Sequence, residues 1–202
     1  MSNNKEHWEK VYATKQPNEV SWTQEIPQTS IELIEKSNLP KNAEIIDIGG
    51  GDSHLVDYLL GKEYTNISVL DISSKAIERA KERLGNKANQ VTWIVSDILD
   101  FVPEKKYDCW HDRAAFHFLT KENDIEYYKD LVAIFAIKTL VIGTFSDHGP
   151  KKCSGLEVSQ YNPESLHQVF GNCFTLQESK IEDHETPFNT LQNFVFCRMQ
   201  KN

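Results

Sequence analysis

Long apolar runs, closely spaced cysteines and an excess of basic charge are all missing from this chain of 202 residues. No apolar stretch approaches the roughly 20 residues that a membrane-spanning helix needs, and residues 1–8 lack the apolar segment of a secretory signal. We therefore expect a cytoplasmic protein with reduced thiols and without a membrane anchor. The four cysteines are Cys109, Cys153, Cys173 and Cys197. They form no Cys-x-x-Cys pair and no zinc-finger spacing, so a metal site is not expected either.

Basic residues are fewer than acidic ones, with 22 Lys and Arg against 30 Asp and Glu, which gives a net charge of −8. A compact domain of that charge is repelled by nucleic-acid phosphates and by anionic membrane surfaces. Hydrophobic residues make up 39% of the chain, which is enough for a buried core. We therefore expect a globular protein without nucleic-acid or membrane partners, while the composition leaves the oligomeric state open.

Short apolar segments alternate with amphipathic ones from Ala43 onward, a pattern typical of strands joined by helices. Five segments are predicted to be strands of a mostly parallel sheet: 44–48, 66–71, 91–95, 107–111 and 139–144. Two further strands, at 174–182 and 192–199, can form a terminal hairpin. Helical segments are predicted at 55–60, 73–84, 124–135 and 163–170. Such connections place helices on both faces of a sheet.

The first forty residues have a different character, because they are polar and carry two amphipathic stretches, at residues 7–13 and 29–37. Pro27 suits the first turn of the second predicted helix, where its missing N–H would have no partner in any case. We interpret the chain as one domain, 1–202, in which residues 1–40 form a helical lid and residues 41–202 form the α/β core.

Glycine is scarce, at nine residues, yet three glycines stand together directly after the first predicted strand. Glycines there let the backbone turn tightly and approach a ligand, and ligands of such sheets bind at the carboxyl ends of the strands. Asp71 ends the second strand, at roughly the 20-residue distance of a nucleotide-binding unit, and can accept both ribose hydroxyls. Asp97, after the third strand, is placed to accept from an adenine amino group. The sequence therefore predicts an adenosine-binding site that comprises Asp47, Gly49, Gly50, Gly51, Asp71 and Asp97.

Phosphate-containing ligands fit these residues less well than S-adenosylmethionine does. A dinucleotide-binding turn needs Gly-x-Gly-x-x-Gly, but His54 takes the third glycine position, and Asp52 would lie where a pyrophosphate binds. No Gly-Lys-Ser/Thr follows the glycines, so a P-loop is excluded. S-adenosylmethionine carries sulfonium and ammonium charges that Asp47 would attract. The alternative is a tight turn without a ligand, in which the aspartates only cap helices or turns.

The motifs around residues 40–145 resemble those of class I methyltransferases that use S-adenosylmethionine. The segment 44–51 is similar to the first motif of that family, 69–73 to the second and 96–98 to the third. Ser53 departs from the pattern, since the family commonly has a third glycine there. The resemblance implies S-adenosylmethionine as cofactor and S-adenosylhomocysteine as product, with further cofactor contacts from Ser53, Ile72, Ser73 and Ile98.

The same resemblance implies a three-layer, Rossmann-like α/β fold with a seven-stranded, mostly parallel sheet in the order 3-2-1-4-5-7-6 and a C-terminal antiparallel hairpin. Narrower motifs, at residues 7–12, 20–22, 110–119, 149–156 and 184–187, are similar to those of bacterial relatives of the mitochondrial citrate synthase lysine methyltransferase. They imply a protein lysine as a possible methyl acceptor. Methylation of a small molecule at oxygen, nitrogen or sulfur is the alternative, and a non-catalytic sensor or scaffold that binds S-adenosylmethionine is another. A dehydrogenase fits less well, because a substrate domain is missing.

Candidates for catalysis lie in the loop after the fourth predicted strand. Asp112 would face the methyl donor there and either hold the ammonium group or take the acceptor's proton, unless it only forms an ion pair with Arg113. His117 is a candidate general base, or else a structural histidine, while His111 on the strand is predicted to be buried. Trp22, in the predicted lid, would place its ring beside the cationic cofactor.

Overall fold

The computed structural model describes residues 3–202 and contains a seven-stranded sheet with helices packed around it. The helices are α1 (Asn3–Thr14), α2 (Gln28–Glu35), α3 (Leu55–Gly61), α4 (Ser74–Leu84), α5 (Glu122–Phe135) and α6 (Pro163–Phe170). The strands are β1 (Glu44–Ile48), β2 (Asn66–Asp71), β3 (Val91–Val95), β4 (Tyr107–Arg113), β5 (Ala136–Phe145), β6 (Lys152–Cys153), β7 (Leu156–Glu157), β8 (Phe174–Glu185) and β9 (Leu191–Lys201). Short 3-10 turns cover Pro17–Glu19, Gly85–Gln90 and Phe116–Phe118.

The order of the strands in the large sheet is β3-β2-β1-β4-β5-β9-β8. The first five strands are parallel, whereas β9 runs antiparallel to both β5 and β8. The short strands β6 and β7 form a separate hairpin, and without them this order is the predicted 3-2-1-4-5-7-6. The predicted fold class is therefore confirmed, with its terminal antiparallel hairpin made by β8 and β9.

Two apolar clusters, one on each face of the sheet, form the core. Side chains alternate along a strand, so Ile45 of β1 joins the cluster under α2 and α3, and Ile46 joins the cluster under α5 and α6. Trp110 lies fully buried in the second cluster, where its indole N–H donates to Tyr128 of α5 over 3.1 Å. The helices therefore cover both faces and leave the carboxyl edge of the parallel strands to the loops.

The predicted starts of two helices agree with the observed capping residues. Ser73 accepts a hydrogen bond from the backbone N–H of Ala76 at the start of α4, and Asn162 does the same for Ser165 at the start of α6. Such caps satisfy backbone donors that have no partner within the helix. Pro27, by contrast, precedes α2 rather than lying in its first turn.

Several segments differ in their bounds from the prediction, and three of them border the candidate site or the loop after β5. Strand β4 continues two residues further, through Arg113, and strand β5 begins three residues earlier, at Ala136. The polar segment after β5, predicted to be a loop, contains the hairpin of β6 and β7. The longer β4 matters for the site, because it brings Asp112 into the regular alternation of the strand. Between residues 3 and 202, no helix combines the length and the apolarity that crossing a bilayer requires.

Candidate active site

A cavity of about 320 Å³ lies at the carboxyl ends of the parallel strands. That volume is in the range of sites for small ligands. Nine of the residues predicted to bind the cofactor line the cavity: Trp22, Asp47, Gly49, Gly50, Ser53, Asp71, Ile72, Asp97 and Ile98. The fold thus brings together side chains and turns from four separate loops. Gly51, Ser73 and Asp112 were also predicted to contact the cofactor, but they are not part of the cavity wall.

The glycine turn after β1 leaves no space for larger residues. Gly49 has a φ of +66°, a conformation that L-residues rarely adopt. A Cβ on Gly50 would collide with the carboxylate of Asp47, and one on Gly51 would collide with the carboxylate of Asp71. Gly51 does not line the cavity itself, but its lack of a side chain lets the end of β2 approach the glycine turn.

Asp71, at the end of β2, is buried at the base of the cavity. Its Oδ1 accepts a hydrogen bond from the backbone N–H of Ser73 over 2.8 Å. Burial, together with the negative charges of Asp47 and Glu9, raises the pKa of Asp71 to about 7, against the lowering effect of its backbone donors. A ligand whose hydroxyl groups donate hydrogen bonds to this carboxylate would favour its ionised form.

Asp97 and Ile98 line the cavity beyond β3, on the far side of Asp71 from the glycine turn. Asp97 Oδ1 accepts a hydrogen bond from the backbone N–H of Leu99 over 3.1 Å. This bond fixes the carboxylate at the end of the third strand, as the sequence predicts for an adenine contact.

Asp47 is held by a buried histidine beneath the glycine turn. Its Oδ1 lies 2.6 Å from His111 Nδ1, and His111 Nε2 lies 2.8 Å from the hydroxyl of Ser30 in α2. All three residues are buried, which confirms the prediction for His111. Asp47 Oδ2, in contrast, is buried and has no hydrogen-bond partner among residues 3–202, so it is available to a donor on a ligand in the cavity.

Aromatic residues from the N-terminal segment cover the cavity. The rings of Trp8 and Trp22 pack edge to face at 5.5 Å, and Trp8 packs in the same way on Phe118 at 5.2 Å. All three residues line the cavity, together with Tyr12 of α1. The segment predicted to be a lid therefore supplies the aromatic wall opposite the glycine turn.

Glu9 fastens α1 to the amino end of α4. Its carboxylate accepts hydrogen bonds from the hydroxyl of Ser73 over 3.0 Å and from the backbone N–H of Ser74 over 2.7 Å. A third bond comes from the backbone N–H of Lys75, over 3.2 Å. A carboxylate at this end of a helix also interacts favourably with the helix dipole, so Glu9 holds the aromatic wall in place from outside the cavity.

Arg113 ends β4 and lines the cavity next to the N-terminal segment. Its Nη1 donates to the backbone carbonyl of Trp22 over 3.1 Å, and its guanidinium lies 5.5 Å from the ring centre of Phe194. Nε and Nη2 are buried and have no partner among residues 3–202. Burial lowers the pKa of Arg113 to about 10, which still leaves the side chain charged at neutral pH.

Most of the cavity wall belongs to a segment of the chain that is similar to known proteins. Residues 45–135 match the family profile described as a methyltransferase domain. This segment is therefore similar to the methyltransferase domains that the profile describes. Strands β1 to β4, the glycine turn, Asp71, Asp97 and Arg113 all belong to it.

Two curated proteins of Ilyobacter polytropus are similar to part of this chain. Malonyl-[acyl-carrier protein] O-methyltransferase 1 is 37% identical over 81 residues, which cover 39% of this chain and 30% of that protein. Malonyl-[acyl-carrier protein] O-methyltransferase 2 is 34% identical over 82 residues, which cover 40% and 31%. The chain thus spans less than a third of the length of either relative.

Solved structures of similar fold align over all or nearly all of this chain. The N-methyltransferase NodS from Bradyrhizobium japonicum, in complex with S-adenosyl-L-homocysteine, aligns with a TM-score of 0.72 at 16% identity and covers 99% of both chains. A SAM-dependent methyltransferase from Anabaena variabilis aligns with a TM-score of 0.75 at 14% identity and covers 100% of this chain and 96% of its own. At these identities the likeness establishes a shared class I methyltransferase fold.

The expectation that Asp112 faces the methyl donor is wrong. Asp112 lies within β4 rather than after it, so its side chain points to the opposite face from His111 and Arg113. There it is fully buried, accepts from the backbone N–H groups of Ala115 and Phe116 over 3.0 Å each, and accepts from the Tyr128 hydroxyl over 2.6 Å. The ion pair considered with Arg113 is not formed either, and Asp112 instead shapes the turn after β4.

His117 is not in the cavity wall, and its expected position as a general base is therefore wrong. The imidazole is fully buried and stacks at 4.5 Å on Phe145, and its Nδ1 accepts from the backbone N–H of Phe145 over 3.3 Å. Burial and the charge of Arg113 lower the pKa of His117 to about 3. His117 is therefore a neutral structural residue, the alternative that the sequence left open.

The sequence interpretation missed several residues that the structure places in or behind the wall. Arg113 was treated only as a partner of Asp112, although its place at a strand end carried the same signal as Asp71. Trp8 belongs to a motif that was noted without a role, and the helical spacing from Trp8 to Tyr12 is the signal that places both on one face. Glu9 had no signal in the sequence, because its partners are the hydroxyl of Ser73 and two backbone N–H groups, all 64 or more residues away.

Proposed function

We propose that this protein transfers the methyl group of S-adenosylmethionine to a small-molecule acceptor and releases S-adenosylhomocysteine. The observation that carries the proposal is the cavity at the carboxyl ends of β1 to β4. There the glycine turn, Asp71 and Asp97 form one wall, and aromatic residues of the N-terminal segment form the other.

The residues present fit S-adenosylmethionine piece by piece. Asp97 and Ile98 would hold the adenine, and Asp71 with Ile72 would hold the ribose, since a buried carboxyl group is suited to paired hydroxyl donors. The turn at Gly49 and Gly50, which lines the cavity, would lie beside the methionine part. Asp47 Oδ2, buried without a partner among the described residues, would receive its ammonium group.

The bound cofactor supplies a methyl carbon activated by a sulfonium, which an acceptor lone pair can attack directly. The chain's own task is then to align and desolvate the acceptor rather than to provide a covalent nucleophile. Trp8, Trp22 and Phe118 do this by excluding water from the side of the cavity opposite the glycine turn. Neither Asp112 nor His117 lines the cavity, so neither is assigned as a general base.

The aromatic cover favours a small acceptor over a protein lysine. A lysine in a protein segment needs an open, acidic cleft, whereas here α1 is fastened over the cavity by Glu9 and packed by Trp8 and Trp22. The names of the relatives point to other acceptors: malonyl groups on an acyl-carrier protein for the curated ones, and an amine for NodS. The acceptor atom on this protein's substrate stays open among oxygen, nitrogen and sulfur.

Calorimetry with S-adenosylhomocysteine tests the cofactor site. The wild-type protein should bind it, Asp71→Ala should weaken binding by about 100-fold or more, because two charge-assisted hydrogen bonds are lost, and exposed Asp100→Ala should not. Absence of wild-type binding, or unchanged affinity of Asp71→Ala, would refute the assignment.

Incubation with methyl-labelled S-adenosylmethionine tests the acceptor. Cell extract is split by size, and each fraction is added to wild-type protein and to Asp71→Ala. Label should appear on small molecules and only with the wild-type protein. Label on a protein band would instead favour a lysine acceptor, and label in neither fraction, despite tight cofactor binding, would favour the non-catalytic sensor or scaffold.

A further inference from the structure

Arg113 is a partly buried cation in the cavity wall, and its guanidinium has no anionic partner within ion-pair distance among the described residues. Its one hydrogen bond in this part of the chain, from Nη1, goes to the backbone carbonyl of Trp22. Nε and Nη2 are buried with no partner in this part of the chain. Buried charges in proteins are normally paired and hydrogen-bonded, so Arg113 is an exception that needs an explanation.

A second arginine in the same wall shows the usual arrangement. Arg79 also lines the cavity, but its guanidinium lies 3.6 Å from the carboxylate of Asp52 and is thereby neutralised. Arg113 has only the more distant charges of Glu182 and Asp47. The cavity therefore holds one paired and one unpaired arginine, and an anion bound in it would complete the second pair.

The place of Arg113 in the sheet indicates which part of a ligand it meets. Along the carboxyl edge the order is Asp97 after β3, Asp71 on β2, the glycine turn after β1, and Arg113 on β4. Neighbouring strands lie about 4.8 Å apart. Arg113 is thus one strand beyond the turn that would hold the methionine part, on the side away from the adenine.

No described acid lies within ion-pair distance of Arg113, and Asp47 and Glu182 act on it only from further away. Trp22, Ala114 and Cys153 line the cavity beside it. A planar guanidinium matches a carboxylate with two parallel hydrogen bonds, and apolar neighbours strengthen such a pair because they exclude water.

We propose that Arg113 binds a carboxylate group in the cavity, either the methionine carboxylate of the cofactor or a carboxylate of the acceptor. The inference rests on the proposed function and narrows it. If the carboxylate belongs to the acceptor, the substrate class is a small organic acid whose methyl-accepting atom lies near the sulfonium.

Two pairs of probes, each differing in a carboxylate, test this residue. The first pair is S-adenosylhomocysteine and 5′-methylthioadenosine, which lacks the amino-acid part. The second pair is phenylacetate and phenylacetamide, measured with and without saturating S-adenosylhomocysteine. Calorimetry compares wild type with Arg113→Met, with Arg113→Lys as a variant that keeps the charge, and with Arg198→Met as the control. Arg198 is also a largely buried arginine of the same sheet, but it lies near Glu178 and outside the cavity.

If the carboxylate belongs to the cofactor, Arg113→Met should weaken the binding of S-adenosylhomocysteine by about tenfold or more. The affinity for 5′-methylthioadenosine should be unchanged. If it is the acceptor's, the wild type should prefer phenylacetate over phenylacetamide, and Arg113→Met should lose that preference. Arg113→Lys should retain part of either effect, and Arg198→Met should show wild-type values. The proposal is overturned if Arg113→Met alters neither preference. Failure of the proposed function looks different, because the wild type itself would then bind neither adenosine compound, while the phenylacetate pair still reports on Arg113.

Discussion

His111 Nδ1 lies 2.6 Å from Asp47 Oδ1, and the opposite nitrogen of the same ring lies 2.8 Å from the Ser30 hydroxyl. The imidazole thus connects β1, β4 and α2 directly under the glycine turn. Because a buried acid is costly without its partner, His111→Ala should lower the free energy of unfolding by about 3 kcal/mol. Urea denaturation measures this.

The control for that variant is His148→Ala, since the His148 side chain is 85% exposed. It should change stability by less than about 0.5 kcal/mol. Equal stabilities of His111→Ala and wild type would show that Asp47 does not depend on this histidine.

The pH dependence of cofactor binding should report on Asp71. Its pKa is raised to about 7 in the free protein, and ribose hydroxyls that donate to the carboxylate would favour its ionised form. Binding then releases a proton below that pKa, so affinity for S-adenosylhomocysteine should rise from about pH 5 to about pH 7 and level off above. Calorimetry in buffers of different ionisation enthalpy measures the released proton.

Asp71→Asn is the matched variant for this experiment, because it keeps the shape and cannot ionise. It should bind more weakly at pH 8 and show neither the rise in affinity nor the proton release. A wild-type affinity that is flat between pH 5 and 7 would contradict the role given to Asp71.

The same raised pKa affects stability in the absence of ligand. The unfolded chain has an ordinary Asp71, whereas the folded chain binds its proton more tightly, so the folded state loses stability as pH rises from about 4 to about 7. In that window, the stability of Asp71→Asn relative to wild type should increase with pH. A stability difference between the two proteins that stays constant over this pH range, measured by thermal denaturation, would argue against the raised pKa of Asp71.

Two glycines provide a matched pair for the turn. A Cβ at Gly51 meets the Asp71 carboxylate and lies 2.8 Å from Ala76 Cβ, whereas a Cβ at Gly61 in α3 meets nothing within 4 Å. Gly51→Ala should therefore lower the free energy of unfolding by about 1–3 kcal/mol through overpacking and weaken the binding of S-adenosylhomocysteine. Gly61→Ala should leave binding unchanged and stabilise the helix by up to about 1 kcal/mol. Normal ligand affinity in Gly51→Ala would show that the close approach of β2 is dispensable.

The order of the sheet, and the gathering of the glycine turn and the strand-end acids at one cavity, were predictable from the sequence because their signals are local. Apolar runs, the glycine triplet, and acids at the ends of strands all lie within a few residues of the features they define. The two catalytic candidates failed for a reason of register. With β4 predicted to end at His111, Asp112 was assigned to a loop, and two more strand residues turned its side chain to the α5 face.

The contacts of the N-terminal segment were less predictable, because their partners are far away in sequence. Glu9 is bound by residues 73–75, and Trp8 packs on Phe118. A polar, amphipathic segment indicates helix but not which part of the core it covers. The fold must be known before Glu9 can be recognised as a cap for another helix.

Removing the Glu9 contact should speed the loss of bound cofactor. Glu9→Gln keeps the size but weakens the bonds to the start of α4, so α1 should open more often. We expect S-adenosylhomocysteine to dissociate about tenfold faster, which corresponds to about 1.4 kcal/mol, in stopped-flow measurements of tryptophan fluorescence. Glu6→Gln, an exposed change in the same helix, should dissociate at the wild-type rate, and an unchanged rate in Glu9→Gln would show that this contact does not hold the cover.

Tyr128 tests whether Asp112 is structural. Its hydroxyl donates to Asp112 over 2.6 Å and accepts from the Trp110 indole over 3.1 Å, on the α5 side of the sheet. Tyr128→Phe leaves a buried acid with one donor fewer and should cost about 2 kcal/mol of stability. Since neither residue lines the cavity, affinity for S-adenosylhomocysteine should stay within about twofold of wild type. Tyr127→Phe, at a half-exposed neighbouring position, should alter neither quantity. Weaker binding by Tyr128→Phe at unchanged stability would place Asp112 in the cofactor site after all.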